Sequence, residues 1–292
     1  MKKISYFVLM SISILFYSPY LSYSQENSGG QSRKDRLQKI SNAIQKQDHP
    51  EAIKLLDAWI SAEPKEADAY ATRAMIFEQL KKLESAQKDC NKAIELNDKN
   101  AGYYDQRGGV RFKLGDVKGS LQDFDKAIEL APKRAENHWR RGISLYYLGR
   151  FADGAKQFEL GKKVYANDVE NAFWHYLCLA RAESLAQARK QLLAIGRDAR
   201  IPMMAIYDLI QGKLKDQDIL DQINTAKLSG EDKKEASFYA YLYLALHAEA
   251  DQRKADCQKY LEIAVKKYPI SHYMWDVANV HLKLLQKNQL KK

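Results

Sequence analysis

Residues 101–134, AGYYDQRGGVRFKLGDVKGSLQDFDKAIELAPKR, hold a complete helix-turn-helix pattern. Tyr104, Gly108, Gly115, Phe124, Ala127 and Pro132 stand, in order, where such a unit needs a bulky, a small, a turn, a bulky, a small and a stop residue. Shifting the frame by 34 residues returns the same pattern.

Laid side by side, the copies keep their slots. The bulky slot of the first helix holds Tyr70, Tyr104 and His138, followed by Arg73-Ala74, Arg107-Gly108 and Arg141-Gly142. The small slot of the second helix runs Ala52, Ala86, Ser120, Gly154, where two closely packed helices leave no room for a larger side chain. A bulky slot follows with Leu56, Cys90, Phe124 and Phe158. The closing slot reads Pro64, Asp98, Pro132, Ala166, so a helix-breaking proline ends two copies and a turn former a third.

This pattern resembles the tetratricopeptide repeat (TPR) family. The resemblance covers residues 33–168 as four units. It implies an all-α fold, a right-handed superhelical solenoid of antiparallel helix pairs in which stacked units share one core. It also implies a concave face, lined by the first helix of each pair, that takes a peptide or a partner protein. It is specific for fold and poor in information about the ligand.

The first unit keeps its second helix, from Pro50 to Pro64, but its first helix is polar, as suits a capping unit with one face toward water or a second copy of the chain. In the next two units Arg73 and Arg107 accompany Asp89 and Asp123 at equal spacing, which suits intra-unit salt bridges. The alternative is that these arginines grip a ligand carboxylate. Gln157 replaces the aspartate in the fourth unit, which makes Arg141 the better candidate for an outside partner.

Beyond residue 168 the exact period is lost. Residues 169–234 read as a divergent fifth unit with an insertion: an apolar helix 171–183, a partner 185–195, a break at 198–202, a helix 203–211, a short helix 216–224 and a polar turn at 228–231. Residues 235–270 return as a TPR-like pair whose first helix is apolar nearly all round and whose second carries Cys257, Leu261 and Ala264 in core slots. Residues 271–292 form a capping helix and basic tail. The order of a FWHYL helix, a short-helix insertion, a FYAYLYLAL helix and a terminal cap is similar to NlpI-type bacterial envelope proteins. That second resemblance rests on arrangement, and implies an envelope adaptor that brings cell-wall hydrolases or a processing protease together, often as a homodimer. The chain departs from that family in lacking a lipidated cysteine.

At the other end, Lys2 and Lys3 precede the uncharged apolar run 4–17, then Pro19 and Ser22-Tyr23-Ser24. These are the zones of a secretory signal peptide, residues 1–24, cleaved after Ser24. The alternative is an uncleaved anchor helix, for which the run falls short of the ~20 residues that span a bilayer. The first cysteine is Cys90, which excludes a lipoprotein. The expectation is an exported protein, periplasmic or extracellular, with no integral membrane segment after cleavage and a disordered lead-in at 25–32.

The formal charge of +10 is spread without a block of like charges, which reads as a solvated helical surface and not a nucleic-acid site. Three cysteines, each in an apolar helical pattern, read as buried thiols. The six histidines are scattered without metal-ligand spacing. No nucleophile elbow, phosphate-cradling glycine loop or dinucleotide fingerprint occurs, so the expectation is a protein without catalysis, metal or cofactor.

Counting around each first helix, the inward surface presents Met75, then Asp105, Gly109 and Phe112, then Trp139, Arg140, Ile143 and Tyr146, with Asp68, Ala71, Glu78, Gly102 and Glu136 beside them. Space next to Phe112, Trp139 and Tyr146 suits an apolar or aromatic peptide anchor. The alternative is that half of these rings pack on the following helix. Units that clamp a terminal carboxylate need lysines and asparagines here. The chain has Leu37, Ser41, Thr72, Gly102 and Arg140, of which only Arg140 fits. The expected function is an adaptor of the bacterial cell envelope, with a binder of anionic polymer or membrane surface as the alternative.

Overall fold

The computed structural model describes residues 30–289. The leader 1–24 lies outside them. The described residues are helices joined by turns, and no strand occurs among them. They fall into two compact units, one ending at Val110 and the other beginning at Arg111.

In the first unit α1 (Gly30–Gln45) pairs with α2 (His49–Ala62), and α3 (Ala67–Gln79) with α4 (Leu83–Leu96). α5 (Ala101–Lys113) carries the boundary between the units. α1 begins at Gly30, inside the segment expected to be a lead-in. The core here is small: Ile40, Ala52, Leu56, Trp59, Ala69 and Ile76 form one cluster, and Ala71, Ala93, Ile94 and Tyr103 another.

The second unit continues with α6 (Val117–Leu130), α7 (Trp139–Tyr147), α8 (Phe151–Leu160), α9 (Val169–Ala182) and a short α10 (Leu185–Lys190). α11 (Met203–Ile210), α12 (Asp216–Thr225), α13 (Gly230–Ala250), α14 (Lys254–Lys267) and α15 (Tyr273–Gln289) complete it. α13 is buried nearly all round, from Ala236 to Ala248. It packs against α9, α11, α12 and α14, which makes it the axis of the larger core.

The small slots are enforced by contact. A Cβ on Gly142 of α7 would lie 2.6 Å from the Phe158 ring of α8, and one on Gly154 of α8 would lie 2.7 Å from Cys178 Sγ of α9. The first contact closes a pair and the second joins it to the next. Ala52 and Ala86 are fully buried in the same slot. Cys90, Cys178 and Cys257 are buried thiols, as read from the sequence.

The turn inside each pair repeats as well. Gln47, Lys81, Gly115 and Gly149 recur every 34 residues, and all four have a left-handed backbone, with φ of 56, 58, 86 and 73°. The next residue caps the second helix, and where it is aspartate its carboxylate accepts from the open backbone: Asp48 from Glu51 N at 3.1 Å, Asp116 from Gly119 N at 2.9 Å.

Two expectations are corrected in the second unit. The helix expected at 185–195 stops at Lys190, because tertiary partners take the backbone that would have continued it. Tyr207 donates to Leu193 O at 3.0 Å, Gly196 N reaches Ala166 O at 3.0 Å, and Arg197 N reaches Asn167 Oδ1 at 3.3 Å. Of the polar turn expected at 228–231, Leu228 and Ser229 lie outside any helix, whereas Gly230 and Glu231 already open α13.

The extended segment ends in a buried charge cluster. Arg200 contacts Asp168 at 2.8 Å, Glu170 at 2.6 Å and Asp198 at 2.6 Å, and Tyr243 donates to Glu170. One guanidinium faces three carboxylates. Burial, with Glu170 beside it, pushes the Asp168 carboxyl up to about 6.

Two predictions follow from these elements. Glycine has no Cβ penalty at positive φ, so Lys81→Gly should stabilise the chain by about 0.5–1 kcal/mol and Gly115→Lys should destabilise it, read as melting temperatures. A raised carboxyl binds its proton more tightly when folded, so its contribution is lost as pH rises from the unfolded value to about 6. Asp168→Asn should therefore be more stable than wild type above pH 6, by about 3 kcal/mol, with the difference vanishing near pH 4 in urea melts at stepped pH.

Candidate partner-binding surface

The arginine slot of the repeat is used inside the structure. Arg73 makes a two-pronged contact with Asp89, Nε to Oδ2 at 2.7 Å and Nη2 to Oδ1 at 2.8 Å, and reaches back to Asp57 at 2.6 Å. Arg107 donates to Asn91 at 3.0 Å, and Arg111 to Asp123 at 2.9 Å. Arg141 holds Asp125 at 2.6 Å and Gln157 at 3.0 Å. The pairing of Arg73 with Asp89 is one of the two expected. The backward partners Asp57, Asn91 and Asp125 were missed, although they too recur every 34 residues. Arg141 is therefore not the spare cation that the sequence suggested, because Asp125 and Gln157 hold its guanidinium.

On the inward surface up to Val110, Met75 and Glu78 of α3 and Asp105 of α5 are half-buried, while Gly109 is buried. Ala71, counted as an inward residue, has no exposed surface. Tyr103 and Gln106 of α5 cover this part of α3: Tyr103 donates to Asp68 Oδ1 at 2.5 Å and Gln106 to Ala71 O at 3.0 Å. Burial raises the Asp68 carboxyl, opposed by the Tyr103 hydrogen bond.

From Arg111 onward the expected anchor residues are covered. Phe112 is fully buried, its ring stacked 5.7 Å from Tyr273 of α15 and 5.6 Å from Tyr147. Trp139 meets Tyr273 edge-on at 5.2 Å, and the Arg140 guanidinium lies 5.8 Å from the same ring. Tyr146 is buried against Phe151 and Trp174, and its hydroxyl donates to Glu249 of α13 at 2.6 Å. Phe112, Ile143 and Tyr146 are thus core residues, which corrects their assignment to an open surface. Trp139 and Arg140 remain half-exposed. The rings do pack, but α15, far along the chain, is what covers Phe112 and Trp139.

Next to the Tyr146–Glu249 contact, α9, α13, α14 and α15 line an open cleft of about 860 Å3 whose wall includes Arg181, Glu249, Lys254, Cys257 and Leu285. Arg181 holds Glu249 at 3.0 Å, and His281 Nε2 stands 3.7 Å from the same carboxylate. Burial pushes the Tyr146 hydroxyl well up, the His281 imidazole down and the Cys257 thiol up to about 12. At neutral pH these groups are a neutral phenol, a neutral imidazole and a thiol, a set that holds an ion pair and offers no thiolate nucleophile. Among the described residues no group of three His, Cys, Asp or Glu is placed to hold a metal.

Comparison with known proteins adds the family. Residues 67–100 and 101–134 each match the tetratricopeptide repeat model. This chain carries tetratricopeptide repeats. Comparison with curated proteins found no match. The structure is similar to a tetratricopeptide repeat protein of Parabacteroides merdae, with TM-score 0.57, 16% identity, and 88% of this chain and 99% of that one covered. It is also similar to PilF of Pseudomonas aeruginosa, with TM-score 0.51, 16% identity, and 91% and 100% covered. A third likeness is to PilW, described as a widely conserved type IV pilus biogenesis factor, with TM-score 0.51, 16% identity, and 82% and 96% covered. At this identity the likenesses establish the fold, an all-α TPR solenoid.

The two aspartates around Arg73 should differ in worth. Asp89 is 6% exposed, so Asp89→Ala leaves a half-buried guanidinium short of its main partner and should cost about 3 kcal/mol. Asp57 is 53% exposed, and Asp57→Ala should cost less than about 1 kcal/mol. Denaturant melts of the two variants check the order.

Proposed function

We propose that this chain is a non-catalytic protein-interaction scaffold of the bacterial cell envelope, binding partner proteins or peptides on the inward face of its repeats. The observation that carries this reading is the division of labour in the repeat. The arginine, aspartate and small slots are consumed by packing, whereas Met75 and Asp105 stay half-exposed on the inward helices of the first unit. Partly exposed side chains on that face are the ones a partner can reach. Among the described residues no helix is long and apolar enough to cross a membrane. PilW, a pilus biogenesis factor with the same fold, supports an envelope setting by analogy only. Recruitment of cell-wall hydrolases or a protease, and a homodimer through the first unit, belong to the same proposal.

In-cell crosslinking followed by pull-down tests it. Met75→Arg combined with Asp105→Arg should reduce partner recovery by at least about tenfold, the scale of losing one good anchor, with the melting temperature unchanged. Equal recovery from both chains removes the inward face as the binding surface. Retention on anionic lipid or isolated cell wall that disappears at moderate salt would favour the alternative of a surface binder. Amino-terminal sequencing of the envelope fraction should begin at Gln25.

A further inference from the structure

The inward surface from Arg111 onward already holds a helix, and the manner of its seating resembles ligand binding. Tyr273, at the start of α15, is clasped on several sides: Phe112 stacks on it at 5.7 Å, Trp139 meets it edge-on at 5.2 Å, and Lys113 Nζ and the Arg140 guanidinium lie 5.3 and 5.8 Å from its ring. One turn later Asp276 Oδ2 is 3.0 Å from Lys113 Nζ, with the two side chains only 6% and 10% exposed. About two turns beyond Tyr273, His281 Nδ1 is 3.1 Å from the Tyr147 hydroxyl. Phe112, Trp139 and Arg140 occupy the slots that the repeat pattern reserves for a ligand. An aromatic anchor, an acid at i+3 and a histidine at i+8 lie on one face of a helix, the spacing of helix-in-groove recognition.

We infer that the last turn of α5 and the inward face of α7 form a receptor for an amphipathic helix bearing an aromatic residue followed by an acid three positions later. α15 is its resident occupant, and a partner helix of the same chemistry displaces it. The inference rests on the scaffold reading and adds the class of partner and the means of control. α15 buries Met274, Val277, Ala278, Val280 and Leu282 in the larger core, and the buried ion pair of Asp276 with Lys113 adds a contact whose geometry selects among partners. Tethering gives the resident helix a high effective concentration, so a free helix competes poorly until the tethered one is weakened.

The test uses the full chain and a fluorescein-labelled synthetic peptide of residues 271–289, followed by anisotropy. Wild type should bind it weakly. Asp276→Lys sets the resident helix against Lys113 and Arg140 while the peptide keeps its own aspartate, so affinity should rise at least about tenfold. Adding Lys113→Asp restores the internal pair and repels the peptide, so affinity should fall back to the wild-type level or below. An Asp276→Lys chain that is helical, melts cooperatively and gains no affinity overturns the inference. Hydrogen exchange on wild type decides the matter without a substitution. Saturating peptide should speed exchange in α15 while α9 and α13 stay protected, and α15 amides that open only with the whole unit would overturn the proposal. A chain whose partner recovery still depends on Met75 and Asp105, but which fails these measurements, keeps the scaffold reading and loses the resident helix. Peptide binding as expected, with partner recovery independent of those two residues, does the reverse.

Discussion

The structure depends on how closely paired helices approach one another. A single pair of amphipathic helices cannot bury both of its apolar faces, so each pair needs a neighbour, and the approach is set by what stands at the contact. Gly142 against Phe158 closes one pair, and Gly154 against Cys178 binds that pair to the next. A methyl group at either glycine would push the helices apart. Because these contacts recur with the repeat, so do the turn and cap that bring the second helix back, and the left-handed residue stays even where it is Gln47 or Lys81.

The charges of the repeat obey the same logic. An arginine at the meeting of two second helices finds one acceptor before it and one after it, which explains why Asp57, Asn91 and Asp125 share a register. Repetition makes such residues conspicuous in the sequence, and it also marks them as structural. The inward positions show less regularity. Met75, Gly109 and Ile143 share one slot but differ in size and burial.

The helix pairs, their small and bulky slots, the buried thiols and the Arg73–Asp89 pair were legible because each follows from spacing along one or two neighbouring helices. The coverage of Phe112 and Tyr146 was not. The residues responsible, Tyr273, Asp276 and Glu249, lie more than a hundred positions away, and nothing in a local periodicity distinguishes a ring that faces an open surface from one that faces another helix. The same holds at residues 191–199, where apolar residues suited to a helix are drawn out because Tyr207, Ala166 and Asn167 take their backbone groups.

By itself the sequence determined the all-α class, the 34-residue repeat and the identity of the packing slots, since small, bulky and turn residues recurring at helical spacing within each period satisfy backbone and core as stacked helix pairs. The tertiary structure alone decided which inward side chains are covered, which charges gather around Arg200, and where α15 lies. Those outcomes depend on contacts between distant segments, whose meeting is governed by the combined packing of the whole unit and leaves no mark in the spacing of neighbouring residues.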